Sequence, residues 1–261
     1  MNLNIEGRRA LVLGASRGLG AAIARALVAE GVTVHAAARD TQAIETWASQ
    51  LPEPLRTRVH PLRLDLASAA SVEQAAQNLL VSGPIDILVN NSGGPAPGST
   101  SNATAQQWAD EFQAMAISLF TLTRLLLPAM TAQGWGRVIT IASSGIEAPI
   151  PNLALSNGIR SSIVGWSKTL ASEVAAQGVT VNLAIPGRIH TDRVDALDRA
   201  AAARQGKSQQ DVATASAATI PAGRYGRPEE FADVVCFLAS DRASYVTGAK
   251  IRIDGGMIRS V

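Results

Sequence analysis

Three glycines, Gly14, Gly18 and Gly20, punctuate the run Gly14-Ala15-Ser16-Arg17-Gly18-Leu19-Gly20. At this spacing the backbone turns tightly and approaches a pyrophosphate, while the N–H groups of a following helix point at the anion. Chance alone often gives such a triplet in a chain with 22 glycines. The weight therefore comes from its context, an apolar strand before it and a helix-period segment after it. The end of the next strand bears on which dinucleotide fits. An NAD site usually carries an acidic residue there, for the ribose 2′-hydroxyl. Here the strand ends Ala36-Ala37-Ala38-Arg39, with no carboxylate before Arg39. Arg17 and Arg39 are suited to a guanidinium fork around a 2′-phosphate, so NADP(H) is expected over NAD(H). Asp40 reads as a cap for the next helix.

The elements that must hold these residues follow from periodicity. Short apolar runs at 10–13, 32–38, 59–64, 85–89, 138–142, 179–185 and 250–253 read as strands. Between them, 21–30, 41–51, a helix opened by the capping-box pattern Ser71-Val72-Glu73-Gln74, 105–133, 153–177 and 228–239 read as helices. The long 105–133 helix is expected to bend near Pro128, and Pro228 suits a first helical position. Residues 192–222 read as a polar, mobile lid, helical over 192–218. Strands alternating with helices imply a parallel sheet covered on both faces, a doubly wound α/β (Rossmann) fold in one domain, 1–261.

Composition narrows the function. The chain has 261 residues, 47% hydrophobic and 17% charged, so it is not a disordered chain. Its net charge of +2 and lack of a basic block argue against nucleic acid. The sequence reading expects no bilayer span and no signal peptide. With a single cysteine, Cys236, it expects a reducing cytoplasm. Cys236 reads as buried core, and no metal is expected. Phe120, Leu122, Leu125, Leu126 and Leu127 on one long helix, with Ile159, Ile163, Val164 and Trp166 on the other, exceed what one sheet face covers. A homotetramer or dimer built on these helices is expected.

The glycine-rich turn, Asp65, Asn90-Asn91-Ser92-Gly93, Asn182, Pro186-Gly187-Arg188-Ile189-His190-Thr191 and Ile253-Asp254-Gly255-Gly256 together resemble the short-chain dehydrogenase/reductase family over nearly the whole chain. The stretch 220–256 is most similar to 3-oxoacyl-acyl-carrier-protein reductases. The resemblance implies a nicotinamide cofactor held by Gly14, Ser16, Arg17, Gly18, Leu19, Gly20 and Arg39. It adds adenine contacts near Asp65 and Leu66, further contacts at Asn91, Ser92, Gly93, Pro186 and Gly187, and nicotinamide contacts near Ile189 and Thr191. It also implies a homotetramer with a four-helix interface.

The family's reaction uses a serine, a tyrosine thirteen residues later, a lysine four beyond that, and an asparagine on the preceding long helix. Aligned by the resemblance, Ser143 matches the serine, but Ser156 stands for the tyrosine, Arg160 for the lysine and Met115 for the asparagine. A serine hydroxyl is a far weaker acid than a phenol and is shorter by a ring. An arginine stays charged and passes no proton. A thioether carries no proton at all. Tyr225 and His190 are the outside alternatives as acid, His190 because it lies between two positions that the resemblance places at the nicotinamide and imidazole is a common general acid. Tyr245 reads as a structural turn, His35 and His60 as structural, Ser144 and Glu147 as loop polarity. Three readings follow: an NADP(H)-linked oxidoreductase with an altered or defective site, acting on a small carbonyl, hydroxyl or 3-oxoacyl substrate; a silent dinucleotide-binding or regulatory protein, with cofactor binding weakened or absent as a further outcome; or another enzyme class in which Arg160 holds an anionic substrate.

Overall fold

In strand β1 (Arg9–Leu13), Ala10 and Val12 pack to one side of the sheet, Leu11 and Leu13 to the other, and all four are buried. A strand buried on both faces belongs inside a sheet covered on both sides. The computed structural model describes residues 2–260. Helix α1 (Gly18–Ala29) leads to β2 (Thr33–Ala38); α2 (Gln42–Ser49) and the short α3 (Glu53–Arg56) lead to β3 (Val59–Arg63); α4 (Ala69–Val81) leads to β4 (Ile87–Asn90). Helix α5 (Ala105–Phe112), a π-helical segment Gln113–Ile117 and α6 (Ser118–Ala132) precede β5 (Gly136–Ile141). Helix α7 (Ala154–Val174) precedes β6 (Val179–Pro186), and α8 (Asp192–Gln205), α9 (Gln209–Ala218) and α10 (Pro228–Leu238) precede β7 (Lys250–Ile253).

The seven strands form one parallel sheet in the order β3-β2-β1-β4-β5-β6-β7. One core, with Ile23, Leu27, Trp47, Phe231 and Val235, lies against α1, α2 and α10. The other, with Leu79, Leu119, Leu122, Ile159 and Ile163, lies against α4, α6 and α7. This is the doubly wound single-domain fold that the alternation of elements predicts. Because β1 pairs with both β2 and β4, the strand order reverses beside it, and a crevice opens at the strands' carboxyl ends.

Two local expectations need correction, and one helix carries an irregularity that the sequence pattern did not show. Helix α4 is capped by Ser68, whose hydroxyl accepts from the Ser71 amide. Ser71 instead accepts from the Asp65 amide at 3.0 Å, so the Ser71-to-Gln74 capping box does not form. The long 105–133 helix widens into a π-helical segment at Gln113–Ile117 and continues as α6 with Pro128 in its interior. The combined helical run Ala105–Ala132, 28 residues, is also long and apolar enough by composition to cross a bilayer, which the sequence reading did not expect. In the fold its buried residues, Met115, Leu119, Leu122, Leu126 and Met130, belong to the core.

Candidate active site

A cavity of about 1480 Å³ occupies the crevice. Its floor is the glycine-rich turn between β1 and α1. The turn is clamped by Trp47, whose indole N–H donates to the Ala15 carbonyl at 3.0 Å, and by Asn91, whose amide donates to the Leu13 carbonyl at 3.1 Å. Gly14 sits at φ +63°, in the left-handed region that glycine tolerates. A Cβ on Gly20 would lie 2.2 Å from the Gly14 carbonyl oxygen, so this glycine is required by close packing inside the turn. Helix α1 then begins at Gly18 with no acidic residue in its first turn. Its free N–H groups suit an anion.

Gly14, Ser16, Arg17, Gly18, Leu19, Arg39, Asp65, Leu66, Asn91, Ser92, Gly93, Pro186, Gly187, Ile189 and Thr191 all line the cavity. Gly20 does not; it packs beneath the turn. The arginine fork is only half set. Arg39 is exposed at the end of β2 and has no ion pair among the described residues, whereas Arg17 lies 3.7 Å from Asp192. Both members of that pair are well exposed, so it holds Arg17 weakly. Asp40 accepts from the Gln42 amide at 3.0 Å, at the first residue of α2, while Thr41 rather than Asp40 holds the N-cap position.

At the other end of the cavity Ser143, Ser156, Arg160 and Met115 come together in the wall. Ser143 follows β5; its Oγ accepts from the Gly145 amide at 3.1 Å, which leaves its own hydrogen free to donate. Ser156 is buried and its hydroxyl has no hydrogen bond among the described residues. Arg160 is 7% exposed. It donates to the Ile141 carbonyl at 2.9 Å, the Ser92 carbonyl at 3.2 Å and the Gly93 carbonyl at 3.4 Å. Burial, and then the nearby Arg193 charge, pulls its pKa down to about 10, so it stays cationic at neutral pH. Met115 is 1% exposed and lies in the π-helical segment, an irregularity that often marks functional sites.

Neither outside acid lines the cavity. His190 projects outward, its side chain 69% exposed, with Nε2 3.5 Å from Asp195. Tyr225 donates to the buried Asp198 at 2.8 Å, and burial raises its pKa. Tyr245 is fully exposed. Among the described residues the cavity wall contains no tyrosine, lysine, histidine or cysteine. Burial pushes the Cys236 thiol up to about 12, which removes it as a nucleophile. Glu147 does more than add loop polarity. Its buried carboxylate lies 2.6 Å from both Lys250 and Arg252, and their hydrogen bonds hold its pKa below the usual carboxylate value. It ties the loop after Ser143 to β7.

Sequence reasoning missed Arg193, which reaches the Pro95 carbonyl at 2.9 Å from the start of α8, and Met257 and Ile258, which bring the chain's last turn to the cavity. It also missed Glu111, one turn before Met115 on the same wall. The polarity of 192–222 gave no sign of which side chains turn inward.

A parallel sheet with its crevice at the β1/β4 reversal, floored by a glycine-rich turn, defines a dinucleotide-binding α/β protein. Residues 14–258 match the family model described as Enoyl-(Acyl carrier protein) reductase. The chain is 36% identical over 258 residues to the 3-oxoacyl-[acyl-carrier-protein] reductase of Salmonella typhimurium, covering 98% of this chain and 99% of the other. Among solved structures it is similar to L-sorbose reductase from Gluconobacter frateurii complexed with NADPH and L-sorbose, with TM-score 0.94, 30% identity and full coverage of both chains. It is also similar to YwfH, an NADPH-dependent reductase involved in bacilysin biosynthesis, with TM-score 0.91, 28% identity, and 97% and 99% of the two chains covered. The chain belongs to the short-chain dehydrogenase/reductase family.

Proposed function

We propose that this protein is an NADP(H)-linked oxidoreductase of altered acid–base chemistry, acting on a small carbonyl, hydroxyl or 3-oxoacyl substrate. The observation that carries it is the shared cavity. Fifteen expected dinucleotide positions line the same space as Ser143, Ser156, Arg160 and Met115. The glycine-rich turn and the N-terminus of α1 suit the pyrophosphate, Arg39 the 2′-phosphate, and Ile189 and Thr191 the nicotinamide side. NADPH in solved relatives such as L-sorbose reductase supports the cofactor choice. The cofactor, when bound, supplies the hydride.

The chain's own residues then have a restricted repertoire. Ser143, its oxygen already accepting from Gly145, donates its hydrogen to the substrate oxygen and stabilises charge developing there. Arg160 adds a fixed positive charge beside it but moves no proton. Ser156 holds a water or a polar substrate group. Proton delivery therefore falls to solvent, and turnover is slow by the standards of the family. A silent dinucleotide-binding or regulatory protein is the second reading, favoured by the lack of tyrosine and lysine in the wall.

The 192–222 segment serves as the lid, since α8 and α9 both contribute to the cavity wall. We also propose self-association through the groove between α6 and α7, where the tilted rings of Phe120 and Trp166 pack with centroids 4.4 Å apart beside Leu127, Pro128 and Leu170. A second copy covers this apolar groove in a dimer or tetramer, and light scattering at micromolar concentration checks it; a monomer refutes it. A cytoplasmic location, with no membrane or nucleic-acid partner, accompanies this reading. The function itself is tested by titrating NADPH and then following its oxidation over a carbonyl panel. Binding with slow oxidation supports the first reading, and binding without any oxidation supports the second.

A further inference from the structure

We infer that the reactive end of the cavity is built for a substrate that carries a carboxylate, held between Arg160 and Arg193. The inference rests on the reading of this cavity as a substrate site and adds the charge of the substrate to it. Arg160 rises from α7 and Arg193 comes from the first turn of α8. They grip one short loop from two directions. Arg160 donates to the carbonyls of Ser92 and Gly93, and Arg193 donates to that of Pro95. Both line the cavity.

Two cations are thus brought to four consecutive residues, and neither has a carboxylate within ion-pair distance among the described residues. The acids nearest to Arg193 in the chain point elsewhere, Asp192 to Arg17 and Asp195 to His190. A buried charge without a counter-ion is costly, and carbonyl dipoles compensate it only in part. Arg160 is 93% buried by its 7% exposure, and it has five N–H donors for three carbonyl partners. Ser92 adds a buried hydroxyl with no partner in the same loop. Spare guanidinium donors and a spare hydroxyl suit a carboxylate, which accepts at both oxygens. Burial first, and the Arg193 charge second, lower the pKa of Arg160, and a carboxylate between the two arginines relieves their mutual repulsion.

The anion has two conceivable sources, the substrate or a cofactor phosphate, and binding measurements separate them without turnover. The probes are pyruvate and benzoylformate, each compared with its methyl ester by calorimetry on the protein with and without NADPH. The acids are expected to bind about tenfold or more tightly than their esters, the range of a charge-assisted hydrogen bond. Arg193→Gln, at a less buried position, should remove most of that gap. Arg160→Lys, which keeps the charge but loses the planar donor set, should reduce it, with thermal melting showing that the variant is folded. Equal binding of acid and ester, absence of acid binding at millimolar concentration, or a gap that survives Arg193→Gln overturns the inference. So does a loss of NADPH affinity in Arg193→Gln with the acid–ester gap unchanged, because the anion would then be the cofactor's. Failure to bind NADPH at all sinks the oxidoreductase reading instead, while the acid–ester comparison without cofactor still decides this one.

Discussion

The two ends of the cavity differ in what their residues must supply. The dinucleotide end works through backbone: a tight turn, a helix N-terminus, and strand ends that bring Asp65, Asn91 and Pro186 to one space. Its requirements are steric, and Gly14 and Gly20 satisfy them. The reactive end works through side-chain chemistry, and there Ser156, Arg160 and Met115 stand where the family resemblance implies a phenol, an ammonium and an amide. A frame held by packing tolerates change at its mouth. In the function proposed here, the exchange of a few side chains alters the proton chemistry and leaves the fold in place.

The sharpest way to test that contrast is to restore the missing groups. The triple change Ser156→Tyr, Arg160→Lys and Met115→Asn should raise NADPH-dependent reduction of a 3-oxoacyl or ketone substrate about 10²–10⁴-fold, the usual contribution of a positioned general acid. Steady-state rates with wild type and variant in parallel check it, and a variant no faster than wild type breaks the contrast. At the opposite end, Gly20→Val forces atoms into the Gly14 carbonyl. It should lower NADPH affinity by more than about tenfold and cost about 1–3 kcal/mol of stability, read by fluorescence titration and chemical denaturation. Arg39→Ala should cost NADPH about one to two decades of affinity and leave NADH nearly unchanged, since only the 2′-phosphate loses a charge-assisted bond. Equal wild-type affinities for the two cofactors would remove the basis for that choice.

The smallest effect expected is on the scaffold that joins the two ends. Glu147→Gln removes the charge that pairs with Lys250 and Arg252, and because both cations are partly exposed it should cost about 0.5–1 kcal/mol at neutral pH. The folded-state pKa of Glu147 is depressed. Its contribution is therefore fully present above the unfolded carboxylate value and is lost as pH falls through the lower folded one. Denaturation curves of wild type and variant should converge in acid, with NADPH affinity changed little at neutral pH.

Much of this was legible in the sequence, for identifiable reasons. Continuous apolar runs bounded by turn residues set the strands, most of which are buried on both faces, and the final strand, Lys250–Ile253, has the bounds expected of it. The residues expected at the dinucleotide end, Gly20 apart, do line one cavity, because the glycine-rich turn and strand ends are local patterns. What escaped is decided by tertiary contact. Ser71 reads as a cap by spacing, but the Asp65 amide, brought close in space, claims its hydroxyl, and Ser68 caps the helix instead. The π-helical widening at Gln113–Ile117, beside the cavity, has no proline or glycine to signal it. Arg193 sits in a polar segment whose sequence does not say which side chains turn toward the Ser92–Pro95 loop. His190 is flanked by two cavity residues but leaves the wall.

The central claim is that the dinucleotide end is competent and the proton-delivering end altered. One stopped-flow experiment tests both parts: wild-type protein preloaded with NADPH is mixed with a 3-oxoacyl thioester, and nicotinamide fluorescence is followed. The account predicts a bound-NADPH signal before mixing and, after it, oxidation far below about 1 per second, the low end of ordinary enzyme turnover. Oxidation at several per second contradicts the altered proton path, and the lack of a bound-NADPH signal contradicts the competent dinucleotide end.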